Sequence, residues 1–203
     1  MKSASSESID QFWRWFSKVA ERLAANVEDS GLLSELDARL LGINPHLSWE
    51  VGPGLAKPWQ LVVSPNLDQE LRATSRLIVS RAPLLDGWEF HAARQPKAWD
   101  YHFALERGTG ESVRLDAASW TFVLLRHPDG AHEILLKSSD LPPLSEDERW
   151  QAAAVVLESI LGEDVMMDKV GEFELVDQLA LLVYEAAGLG LFFSYWRKTA
   201  TSV

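Results

Sequence analysis

The hydrophobic period of this chain changes at His46, and that switch constrains the fold more than any other feature. Before it, Ile9, Phe12, Trp13, Phe16, Ala20 and Leu23 recur at helical spacing and build one apolar face, with Arg14, Lys18 and Glu21 turned to water. After it, Leu47, Trp49 and Val51 alternate with Ser48 and Glu50, the period of a strand with one covered face. Helical faces followed by alternating runs predict an α+β fold.

Punctuation divides the chain further. Ser8 and Gln11 have the spacing of a capping box and open a first helix; Asn26 to Gly31 interrupts it, and a second helix over about Leu32 to Leu41 stops at Gly42 and Asn44-Pro45. Residues 1–44 therefore predict a helical hairpin. Residues 46–140 read as a sheet with one inserted helix. Leu47–Val51 and Trp59–Val63 flank Gly52-Pro53-Gly54, a helix covers about Asp68 to Arg81 until Pro83 ends it, and strands follow at Trp88–Ala93, Tyr101–Glu106, Trp120–Arg126 and His132–Lys137. His127-Pro128-Asp129-Gly130 marks a tight hairpin between the last two.

Residues 145–196 predict C-terminal helices and short strands. Ser145 and Glu148 form a second capping box before a helix marked by Trp150, Ala154, Leu157 and Leu161 and stopped by Gly162. One or two short strands lie within Val165–Val176, and a buried helix spans Leu179–Ala187, ended by Gly188 and Gly190. The expectation is a single α+β domain over 1–203, with a mainly antiparallel sheet of about five to seven strands packed against helices on one face.

Composition enters through what it excludes. The chain has no cysteine, which removes disulfides, thiolate nucleophiles and cysteine metal sites and suits a reducing compartment. Met1 to Ser8 carries no apolar signal region, and Asp177, Gln178 and Glu185 interrupt the most lipid-like stretch, Leu175–Trp196, well short of the ~20 apolar residues of a spanning helix. The expected location is cytoplasmic. Thirty acidic against 19 basic residues give a net charge of −11, which repels phosphate backbones and anionic lipid, so neither nucleic acid nor membrane is expected as a partner.

The strings Phe12-Trp13-Arg14-Trp15-Phe16, Trp49-Glu50-Val51-Gly52-Pro53-Gly54 and Ala82-Pro83-Leu84-Leu85-Asp86-Gly87-Trp88-Glu89-Phe90 resemble those of a poorly characterised family of bacterial cytoplasmic proteins with no assigned activity. The resemblance covers the first half of the chain. It implies a bacterial cytoplasmic setting and carries over no catalytic residue.

Known catalytic signatures are missing. No G-x-x-x-x-G-K-[ST] loop is present, and Gly108-x-Gly110 and Gly188-x-Gly190 read as a hairpin tip and a helix stop. His132-Glu133 lacks a second histidine one helical turn on, since position 136 is Leu136, and there is no G-x-S-x-G elbow. No metal and no cofactor are expected. Of nine tryptophans, Trp13, Trp49, Trp88 and Trp150 fall on apolar faces, while Trp15 and Trp99 do not. Trp15 is either a partner-facing ring or one covered by the rest of the fold.

One constellation carries candidate chemistry. In Trp49-Glu50-Val51 and Trp88-Glu89-Phe90 both glutamates face away from the tryptophan side; His91 is in phase with Glu89, and Asp100, His102 and Glu106 point outward from the next strand. If these strands share a sheet, Glu50, Glu89, His91 and His102 occupy one face, with Arg94, Lys97 and Trp99 at its rim. Carboxylates beside imidazoles suit general acid–base work, and the simpler reading is a solvated sheet face. The expected function is a non-enzymatic protein-interaction or regulatory module, bound to another protein or self-associated through the helical hairpin. The alternative is a small-molecule-binding protein or hydrolase-like enzyme using that face.

Overall fold

The structure, a computed structural model, describes residues 5–138, 142–176 and 187–188. The chain divides into two compact units, residues 1–94 and 95–203, and the boundary falls inside the segment expected to form one sheet. The α+β class and the N-terminal helical pair are present. Among the described residues the strands lie in three sheets of three, two and four strands instead of one of five to seven.

The first unit opens with α1 (Ser6–Ala25) and α2 (Ser30–Ile43). The first cap is Ser5, three residues ahead of the one expected: its hydroxyl accepts from the Ser8 N–H at 3.1 Å, while the Ser8 hydroxyl donates back to the Ser5 carbonyl at 2.8 Å. Ser8 is thereby already inside the helix. Asp29 caps α2 by accepting from the Leu32 N–H at 3.0 Å.

β1 (Ser48–Pro53) pairs antiparallel with β2 (Trp59–Ser64), and β3 (Trp88–His91) lies parallel to β2 after the crossover helix α3 (Arg72–Ser80). That helix begins later than its periodicity suggests, because Asn66 and Leu67 take left-handed φ values of 57° and 59° and the chain turns through 68–71 before helical geometry is reached. Register aligns Val51 with Leu61 and Phe90, and Pro53 with Trp59 and Trp88, so these rows form one apolar face. α1 packs on it: Phe16 meets Trp88 with ring centroids 5.0 Å apart and Trp13 meets Phe90 at 4.8 Å, both edge to face.

Two indoles of this unit have partners for their polar ends. Trp13 Nε1 donates to the Ile78 carbonyl at 2.8 Å and Trp49 Nε1 to Asp37 Oδ1 at 2.9 Å. Trp15 is half-buried against the same core, and the Arg39 guanidinium of α2 lies 4.8 Å from its ring centroid. The fold thus covers part of the ring and leaves part exposed.

In the second unit β4 (His102–Glu106) and β5 (Ser112–Asp116) make an antiparallel ribbon around Gly108-Thr109-Gly110. β5 falls in a stretch expected to be turns, although Val113 and Leu115 carry a short period of two. A new sheet starts at β4 because Pro96 has no donor to offer a ladder and Tyr101 takes a left-handed φ of 65°. β6 (Thr121–Arg126) and β7 (His132–Lys137) form the predicted hairpin, β8 (Val170–Val176) runs parallel beside β7, and β9 (Ala187–Gly188) pairs with β6.

The capping box at Ser145 and Glu148 opens α4 (Glu146–Leu161), which ends at Gly162 with φ 80°. α5 (Glu163–Lys169) then occupies the first part of the stretch expected to hold only strands. Of the helix expected over 179–187, residues 179–186 lie outside the described residues, and Ala187 is extended. Arg107 at the end of the β4–β5 ribbon grips Glu148 with two bonds, Nε to Oε1 at 2.8 Å and Nη2 to Oε2 at 3.1 Å. That guanidinium, with the Ser145 N–H, holds the Glu148 carboxyl at about 2. Among the described residues no helix is long and apolar enough to cross a membrane.

Candidate functional site

Three of the four candidate residues share a sheet face. Register aligns Glu50 with Val62 and His91, and Gly52 with Gln60 and Glu89, on the side away from α1. Glu50 and His91 are nonetheless two strands apart, about 10 Å at the usual strand spacing. Each meets a different neighbour. Arg94 Nε donates to Glu50 Oε1 at 2.9 Å and Arg94 Nη2 to Ser48 Oγ at 2.7 Å, which ties the segment after β3 back to the outer strand β1.

Glu89 is an organiser of the loop between β1 and β2. Its Oε1 accepts from the Leu55 N–H and its Oε2 from the N–H groups of Ala56 at 3.0 Å and Lys57 at 3.1 Å, while His91 Nε2 lies 3.2 Å from Oε1. Three successive backbone donors thus wrap one carboxylate, a nest in the loop after β1, whose last paired residues are the Gly52 and Pro53 expected to turn the chain. Partial burial opposes the charge and is the largest single influence; the donors of Leu55, His91, Ala56 and Lys57 together outweigh it and hold the carboxyl at about 2. A group held there is a weak base at neutral pH, and its lone pairs are occupied. Gly54 is required beside it, since a Cβ at that position would overlap the Lys57 carbonyl oxygen and lie 3.0 Å from Glu89 Oε1.

His102 belongs to the second unit, on the two-stranded ribbon, so the four residues do not share a sheet. Its exposed imidazole lies 3.5 Å from Asp100 Oδ2 and 3.6 Å from Asp116 Oδ2. The two remaining rim residues are also in the second unit. Lys97 donates its backbone N–H to the Ser159 carbonyl at 2.8 Å. Trp99 packs its ring against Tyr101 at 5.3 Å and Phe103 at 5.9 Å. No group of three or more His, Asp or Glu among the described residues is arranged to hold a metal ion.

Two clefts were not anticipated. One of about 500 Å³ in the first unit lies where β1 begins, lined by Ile43, Pro45, His46, Asp68, Glu70 and Leu71 among others. The other, of about 460 Å³ in the second unit, lies between the start of α4 and the β7–β8 pair. Glu146, Arg149 and Trp150 line it from α4, Glu133 and Leu135 from β7, and Gly171 to Leu175 from β8. Trp150 and Phe173 stack there with centroids 5.4 Å apart and planes inclined by 33°.

Trp150 departs from expectation. Its spacing to Ala154, Leu157 and Leu161 is right for the core, and those three residues are buried, yet half of its surface, 51%, remains exposed. The reason is its neighbour: Phe173 sits on β8, the outermost strand of its sheet among the described residues, and no further strand there closes over the ring. The only sequence trace of this cleft is the alternation Glu172-Phe173-Glu174. The chain matches no protein-family model, no curated protein and no solved structure.

Proposed function

We propose that this chain is a protein-interaction module whose recognition surface is the cleft between α4 and β8. The observation that carries the reading is Trp150, a large aromatic left half in water over a cleft of about 460 Å³ while Ala154, Leu157 and Leu161, in phase with it on the same helix, are buried. Half-exposed aromatics that can be desolvated are the residues on which interface energy concentrates. The polar face of the first sheet favours binding over proton transfer as the function, because Glu89 is saturated by backbone donors and Glu50 is engaged by Arg94.

The test compares the parent chain with Trp150→Ala, each immobilised and exposed to extract of its own host. The reading expects at least one stoichiometric partner held by the parent and lost from the variant, with circular dichroism unchanged. The same set of proteins on both would remove the cleft from consideration.

A further inference from the structure

We infer that the cleft between α4 and β8 accepts an extended segment of a partner protein bearing an arginine or lysine, with the cation placed against the Trp150–Phe173 pair; this rests on the reading of that cleft as the recognition surface. Among the described residues its lining is unbalanced in charge: Glu133, Glu146, Glu172 and Glu174 stand with one cationic side chain, Arg149. Glu133 has an imidazole for company, His127 Nε2 at 3.3 Å, which leaves the excess of carboxylate standing. Acidic residues on an outer strand also guard against edge pairing, and that duty alone accounts for Glu172 and Glu174. It leaves unexplained why a tryptophan stands open beside them.

Rings and carboxylates together select a cation. The face of an indole carries negative potential, so a guanidinium or ammonium resting on it is attracted by the ring and by the acids at once, while its alkyl stem covers apolar surface. A neutral apolar side chain would bury the ring but strand carboxylates at the margin of a drying site, and an anion would be repelled. The form of the occupant follows from β8. It is a seven-residue strand without lysine or proline, and among the described residues no strand pairs with its far edge, where an extended segment would add.

The probe is the peptide acetyl-Gly-Arg-Gly-Arg-Gly-amide, with its citrulline counterpart as the neutral isostere and spermidine as the small cation. The readout is the Trp150 indole N–H resonance of the full chain, assigned by its disappearance in Trp150→Phe. A saturable shift with the arginine peptide is expected, weakened about tenfold or more by citrulline and by the double change Glu172→Gln with Glu174→Gln, and weakened by added salt. Glu146→Gln, at the far side of the cleft, provides a second variant should the double change disturb β8.

Equal shifts with the arginine and citrulline peptides would overturn the inference, since charge would not be read. Tighter binding of spermidine than of the peptide would overturn it in favour of a small cation. No shift with millimolar peptide, in a chain that still loses a natural partner on Trp150→Ala, would overturn the cationic occupant alone; a partner set indifferent to Trp150→Ala would overturn the underlying reading instead.

Discussion

Replacing Glu89 by glutamine tests the claim that this carboxylate is a structural pin. Holding the carboxyl at about 2 instead of 4.5 corresponds to about 3 kcal/mol of preference for the charged form in the folded chain. Glu89 is itself shielded, 12% exposed, but Leu55, Ala56 and Lys57 are exposed, so water replaces part of what their N–H groups lose. Glutamine keeps one acceptor oxygen as well. The expected loss at neutral pH is therefore about 1–3 kcal/mol.

The sign of the pH dependence follows from the lowered value. A carboxyl whose folded-state pKa lies below its unfolded one contributes fully above about 4.5, and that contribution is lost as pH falls through about 2. The parent should then lose its advantage over Glu89→Gln across that window, and the two stabilities should converge. Urea unfolding followed by hydrogen exchange resolved to residues 48–64 is the appropriate assay, because a whole-chain signal mixes two compact units. A gap below about 0.5 kcal/mol at neutral pH, or one unchanged on acidification, would refute the reasoning.

Two further substitutions probe the same unit. Gly54→Ala should cost about 1–3 kcal/mol by forcing a Cβ into the Lys57 carbonyl, and it should raise the Glu89 carboxyl toward 4.5 as the nest opens; urea unfolding checks the first part and carbon-detected titration the second, and an unmoved carboxyl would count against the nest. Trp88→Ala should cost about 3–5 kcal/mol, since Trp88 is buried between Phe16 and Trp59, whereas Trp15→Ala should cost clearly less, its half-buried ring meeting α2 through Arg39; equal losses in urea would contradict the packing described.

What was legible in advance was local. Side chains alternate across a strand whatever its neighbours, so the phase of Trp49-Glu50-Val51 and of Trp88-Glu89-Phe90 was enough to place Glu50, Glu89 and His91 together, opposite the face that meets α1. The capping box at Ser145 closes over three residues and was equally readable. β5 was missed because two apolar residues, Val113 and Leu115, give too short a pattern to stand out from the turns around it.

Periods and caps only a few residues long were enough for the α+β class, the helical pair, most strand positions and the side each residue of a strand faces. Tertiary structure alone decided which strands pair, and hence that His102 sits on a separate ribbon from Glu50, Glu89 and His91. It also made Glu89 a pin for a loop 34 residues earlier in the chain and left Trp150, in phase with a core, half exposed beside β8. Pairing and cover depend on contacts between segments far apart in the chain, and no local period encodes which segment will be there to make them.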